Sequence, residues 1–196
     1  MATVRTKIAY HHGDLRQQLI AATRGLVEAK GPDGFSVSEA CRAAGVSTAA
    51  PYKHFADRTE MLQAVAHEGY EEMTASFDAA IEGLRPGSFE AISALGVAYV
   101  KYAEANPELF RMMFAFKDKT PKMEEAGMAC YGRVLHQIAI GMDRTEVDQD
   151  VMEVGFRLWA FVHGLSFLQI DGKTEHAEIQ TSLDEVMRET THRLLA

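Results

Sequence analysis

The stretch Gly45-Val-Ser-Thr-Ala-Ala-Pro-Tyr-Lys-His-Phe55 crowds hydrogen-bonding side chains around a proline. Thr48 and Tyr52 stand four apart, the spacing that puts two side chains on one face of an α-helix. Thr48, Ala49 and Ala50 are small enough to approach base edges or a thymine methyl, and Tyr52, Lys53 and His54 can reach phosphates. Arg58 and Thr59 add donors where the next helix would begin and its dipole favours an anion. Ser36 and Ser47 occupy two further expected helix starts. The chemistry available is non-covalent recognition of nucleic acid, in which most contacts position and fewer specify sequence. Ser36, Ser47, Thr48, Ala49, Tyr52, Lys53, His54, Arg58 and Thr59 are the DNA-binding candidates.

A second group is apolar and lies far along the chain. Phe110, Met113, Phe114, Phe156, Trp159 and His163 can line a small-molecule cavity, because methionine adapts to varied apolar shapes. The same residues can equally fill a core. Trp159 and His163 share a helical face, so His163 is either a ligand contact or a histidine satisfied within the protein. Arg157 can neutralise an acidic effector or pair across a subunit boundary with an acid such as Glu153, the second being the stronger reading. Metal binding is not expected: no HxxxH, HExxH or Cys–His pair has ligand spacing, and the adjacent His11 and His12 chelate poorly from a helix. Catalysis is not expected either, since GxSxG, P-loop and GxGxxG patterns are missing.

The elements that must position these groups follow from helical spacing. Leu15, Leu19, Ala22 and Leu26 make the stripe of a first helix that stops at Lys30-Gly31-Pro32. Ser36 to Glu39 fits a capping box opening a second, short helix that Gly45 ends. A third short helix carries the opening stretch, with Pro51 near its first turn, Ala50 pushed away from α geometry, and Phe55 as anchor. Two short helices joined by a glycine turn spell a helix-turn-helix. Asp57 to Glu60 opens a connecting helix over 58–84, and Leu84 to Ser88 breaks it. The reading is a DNA-binding domain over 1–60 and a ligand-binding and dimerisation domain over 86–196. Further helices are predicted over 89–105, 107–116, 122–140, 147–170 and 178–194, so the fold class is all-α with about nine helices.

The totals agree with two parts. The chain has 196 residues and a formal net charge of −8. Residues 1–60 hold eight Lys or Arg against six Asp or Glu, and the remainder twelve against twenty-two. A mildly basic head on an acidic body suggests different partners for each. Cys41 and Cys130 read as reduced thiols of a cytoplasmic protein. The apolar run 158–170 is too short for a membrane span and reads as a deeply buried helix. An apolar helix followed by an amphipathic one suggests one buried surface facing inward and another against a second subunit.

YHHGDLRQQLIAAT followed by GVSTAAPYKHFADRTEML strongly resembles the N-terminal domain of the TetR family of bacterial transcription regulators, over roughly residues 10 to 65. FRLWAFVHG, residues 156 to 164, resembles the Trp…His-Gly signature of one ligand-domain subgroup. The resemblance implies a homodimer that binds a palindromic double-stranded DNA operator and releases it when a small molecule enters the C-terminal domain. It implies a repressor. No cofactor and no membrane partner is expected. TetR-like chains often carry several basic residues before the first helix, whereas only Arg5 and Lys7 precede it here. The competing reading is an all-α interaction or small-molecule-binding module that has lost DNA binding.

Overall fold

Helical spacing without strand alternation becomes, in the computed structural model, eight α-helices and no strand among the described residues, 12–174 and 181–195. They are α1 His12–Lys30, α2 Val37–Ala43, α3 Arg58–Ala80, α4 Phe89–Ala105, α5 Pro107–Ala115, α6 Pro121–Gly141, α7 Gln149–Ile170 and α8 Leu183–Leu195. Arg5, Lys7, His11 and the His12 side chain lie outside the described residues, as does the start of the last helix expected from Glu178. The chain divides into two compact units, 1–65 and 66–196, with the division inside α3.

In the first unit, α1 buries Leu15, Leu19, Thr23 and Val27 rather than the Ala22 and Leu26 of the expected stripe. Thr23 can be inside because its hydroxyl donates to the Leu19 carbonyl at 2.7 Å, so no polar atom is left wanting. The capping box on α2 is complete. The Ser36 hydroxyl accepts from Glu39 N–H, and the Glu39 carboxylate accepts from Ser36 N–H at 2.9 Å. A hydrogen bond from Lys30 at 2.8 Å, together with the Ser36 donors, holds the Glu39 carboxyl down to about 2. Gly45 makes the turn after α2 at φ +70°, a conformation that would strain any side chain. That turn lets Val46 N–H reach the Cys41 carbonyl at 2.9 Å.

The third short helix is a correction. Ser47 to Ala50 form a turn, and only Pro51–Lys53 are helical, as a single 3-10 turn. Pro51 has no N–H to give the Ser47 carbonyl, so Ala50 N–H takes it at 3.0 Å, and Lys53 and His54 likewise bond three residues back. Ala50 is itself in α geometry, φ −63° and ψ −41°, against the expectation set by the following proline. Phe55 is the anchor: it is buried, with the Arg16 guanidinium 5.2 Å above its ring.

The second unit is built around α4, which packs against α6, α7 and α8. Leu109, Phe110, Met112 and Met113 of α5 are all buried, each contributing roughly 1.5–3 kcal/mol. Gly87 lies so close to the end of α6 that a Cβ there would come within 2.6 Å of the Gly141 nitrogen. Its N–H is received by the Gln137 side chain at 2.8 Å. The run 158–170 belongs to a 22-residue helix that is long and apolar enough to cross a membrane on composition. Its packing against α4, α6 and α8 makes it a core helix of this unit. It is not deeply buried, however: Met152, Phe156, Trp159 and Leu168 are exposed, because its neighbours cover only its inner face.

Candidate functional site

The nucleic-acid candidates in the first unit occupy the turn 47–50, the 3-10 turn and the start of α3. Ser47, Thr48, Ala49, Lys53 and Thr59 are exposed, Tyr52 is 62% exposed, and His54 is half-buried. A 3-10 turn repeats every three residues, so the four-residue spacing of Thr48 and Tyr52 does not align them as it would on an α-helix. What the segment does is turn its polar side chains outward while Pro51 and Phe55 bury. Two candidates already have work inside the unit. Ser36 spends its hydroxyl on the cap of α2. The Arg58 guanidinium donates to the Pro32 carbonyl, stacks 4.7 Å over the Phe35 ring and lies 3.9 Å from Asp33. It therefore holds the α1–α2 connection to the start of α3. Asp57 caps α3, its carboxylate accepting from Glu60 N–H at 2.9 Å.

The second unit holds a partly open cavity of about 540 Å³, within the usual range for a small-molecule site. Its wall comes from Tyr70, Met73 and Phe77 of α3, Ile92, Leu95 and Tyr99 of α4, and Phe114 of α5. Cys130, Tyr131 and Val134 of α6, Leu158, Trp159 and Val162 of α7, and Met187 of α8 complete it. Lys119, Glu124 and Met128, all exposed, stand at its mouth, with the Lys119 ammonium 5.8 Å from the Tyr70 ring centre. Burial pushes the Tyr70 and Tyr99 phenols well above their ordinary range and the Cys130 thiol up to about 11, so all three are protonated at neutral pH. Both cysteines are free and buried.

Of the six residues proposed for ligand binding, Phe114 and Trp159 line this cavity. Phe110 and Met113 are fully buried core and do not line it. Phe156, 61% exposed, lies on the outer face of α7 and touches the Trp159 ring edge-on. His163 stands one layer behind the wall, in a nest of rings with Phe114 at 4.7 Å, Phe167 at 5.0 Å and Phe110 at 5.7 Å. Its Nδ1 lies 2.9 Å from the Tyr99 hydroxyl, which also accepts from Trp159 Nε1 at 3.3 Å. Arg157 pairs with Glu153 at 3.2 Å on its own helix.

Tyr99, Tyr70 and Tyr131 escaped the sequence reading, which followed phenylalanine and methionine. A phenol in a helix as apolar as α4 must find a partner when buried, and that is the signal that marks Tyr99. Burial also lowers the pKa of His163, which keeps its imidazole neutral at pH 7. The folded value is below the unfolded 6.5, so the unfolded chain takes up the proton first as pH falls. The stability tied to neutral His163 is full above pH about 6.5 and is lost as pH drops through the folded value. In an NMR titration, its ring protons should move with a midpoint below 6.5; a midpoint at or above that value would contradict the burial argument.

Comparison with known proteins completes the picture. Residues 19–65 match the family model described as bacterial regulatory proteins, tetR family. Residues 92–194 match the model of a tetracyclin repressor-like C-terminal domain. Among solved structures, a protein of unknown function from Rhodococcus sp. RHA1 is similar at 28% identity and a TM-score of 0.79, over 95% of this chain and 96% of that one. A tetR-family transcriptional regulator from Streptomyces coelicolor is similar at 17% identity and TM-score 0.71, over 94% of this chain and 80% of that one. PfmR, a TetR family transcriptional regulator from Thermus thermophilus, is similar at 22% identity and TM-score 0.59, over 90% and 96%. Among curated proteins none matches.

Proposed function

The chain belongs to the TetR family of bacterial transcriptional regulators, and from that premise we propose that it is a homodimeric repressor released from a palindromic operator by a small effector. That it is a DNA-binding, non-enzymatic regulator follows from the family. The rest is our reading. In it, Thr48, Ala49, Tyr52 and Lys53 meet the major groove, with Ser47, His54 and Thr59 around them. The two heads engage half-sites about one DNA turn, ~34–36 Å, apart or a multiple of that. An apolar or aromatic effector occupies the cavity around Tyr99 and Trp159. The protein works in the cytoplasm.

The observation that carries this reading is the pairing of an outward-facing Tyr52-Lys53 segment in one unit with a partly open aromatic cavity in the other. The homodimer is supported by the outer face of α7. Met152, Phe156, Ala160, Gly164 and Leu168 recur there every four residues, all exposed. A contiguous apolar face of that kind on a single chain marks a subunit contact, and the small central pair lets a second helix approach closely.

Sequencing of genomic fragments captured by the purified protein at two salt concentrations tests the DNA half. A recovered palindrome whose capture weakens with salt is the expected result. Diffuse capture, unchanged when cell extract supplies an effector, would refute the operator reading and leave the interaction-module alternative.

A further inference from the structure

Two phenols in the cavity wall have already given their protons to the protein. The Tyr70 hydroxyl donates to the Met113 carbonyl at 3.1 Å, and since a carbonyl only accepts, the direction of that bond is fixed. The Tyr99 hydroxyl lies between Trp159 Nε1 at 3.3 Å and His163 Nδ1 at 2.9 Å. An indole N–H only donates, so it occupies one lone pair of the Tyr99 oxygen.

The His163 tautomer decides the rest. With a proton on Nδ1, Tyr99 would receive two donors, and its own proton would have no acceptor among the described residues. A buried donor left unpaired is costly. With Nδ1 bare, indole, phenol and imidazole form one satisfied chain, each proton running toward His163. The burial that keeps His163 neutral maintains that lone pair.

Neither hydroxyl therefore has a proton left to give: Tyr70 keeps two lone pairs and Tyr99 one. The third lining phenol, Tyr131, is half-buried, with its hydroxyl beside Gly155 of α7. The interior is also without formal charge, because the charged lining groups, Lys119 and Glu124, are exposed at the mouth. A ligand charge buried there would have no counter-ion.

Resting on the effector-cavity reading above, we infer that the cavity takes a neutral, largely aromatic or apolar molecule carrying an O–H or N–H group that donates to the Tyr70 and Tyr99 oxygens. A carboxylate would set its own lone pairs against theirs. The corresponding methyl ether would fill the space without the hydrogen bond. His163 is on this account a positioning residue, acting through Tyr99.

Three probes on one butylphenyl frame test the inference on the full chain: 4-butylphenol, 4-butylanisole and 4-butylbenzoate. Calorimetry measures affinity, and emission from Trp159, the single tryptophan of the chain and part of the cavity wall, reports entry. The phenol should bind roughly three- to tenfold more tightly than the anisole, the span of one net hydrogen bond. The benzoate should bind most weakly. In Tyr70→Phe/Tyr99→Phe the phenol should lose its advantage while the anisole keeps its affinity, which also shows the cavity intact. Should the double variant fail to fold, the comparison on the parent chain still decides. Equal binding of phenol and anisole, or a preference for benzoate, overturns the inference and leaves the effector cavity standing. No binding by any of the three at millimolar concentration overturns both.

Discussion

Lys53→Ala should weaken operator binding about tenfold or more, the scale of one hydrogen bond to a charged group, and should flatten the salt dependence. Lys53 is an exposed cation beside the buried Pro51, and nothing in the first unit pairs it among the described residues. Loss of one phosphate contact reduces the slope of log affinity against log salt by about 1. Tyr52→Ala should also weaken binding but leave that slope unchanged, because a phenol releases no counter-ion. Neither variant should alter the oligomer seen by sedimentation. The two slopes thus separate a phosphate contact from a neutral one. If both variants bind as the parent does, the outward face of the 47–54 segment is not the reading surface.

Phe110→Ala should cost about 3–5 kcal/mol of stability in denaturant unfolding, the range for emptying a phenylalanine site in a packed core. Phe110 is 0% exposed and meets the rings of Tyr99, Phe114, His163 and Phe167 at 5.0 to 5.8 Å. Trp159→Ala should behave differently. Trp159 is 37% exposed and lines the cavity, so its truncation should cost less stability and chiefly change the response to effector, with ligand-free operator binding intact. A Phe110→Ala protein as stable as the parent would remove Phe110 from the core. A Trp159→Ala protein that fails to fold would place Trp159 in it.

The contrast between these two residues shows where sequence reasoning ran out. Both are large aromatics at helical spacing in apolar segments, and the pattern grouped them together. One fills space and the other borders it, a difference made by which neighbours arrive from α3, α4 and α6. No window of local sequence contains those neighbours. Tyr99 and Tyr70 went unnoticed for the same reason: their hydroxyls matter because of Met113, Trp159 and His163, the last 64 residues from Tyr99.

Local sequence did determine the all-α class, the capping box at Ser36, the glycine turn at Gly45, the anchor Phe55 and the family itself. The capping box and the glycine turn rest on interactions between residues a few positions apart, where spacing is geometry. It misjudged Pro51, whose missing N–H shortened an expected helix to one 3-10 turn, because proline tolerance near a helix start depends on how many bonds follow. Only the tertiary structure decided the use of Arg58 at Pro32 and Phe35, and the half-covered state of α7. A side chain's role is set by the atoms that finally surround it. For a guanidinium that can reach two partners, or an apolar helix covered on one face only, those atoms come from other elements.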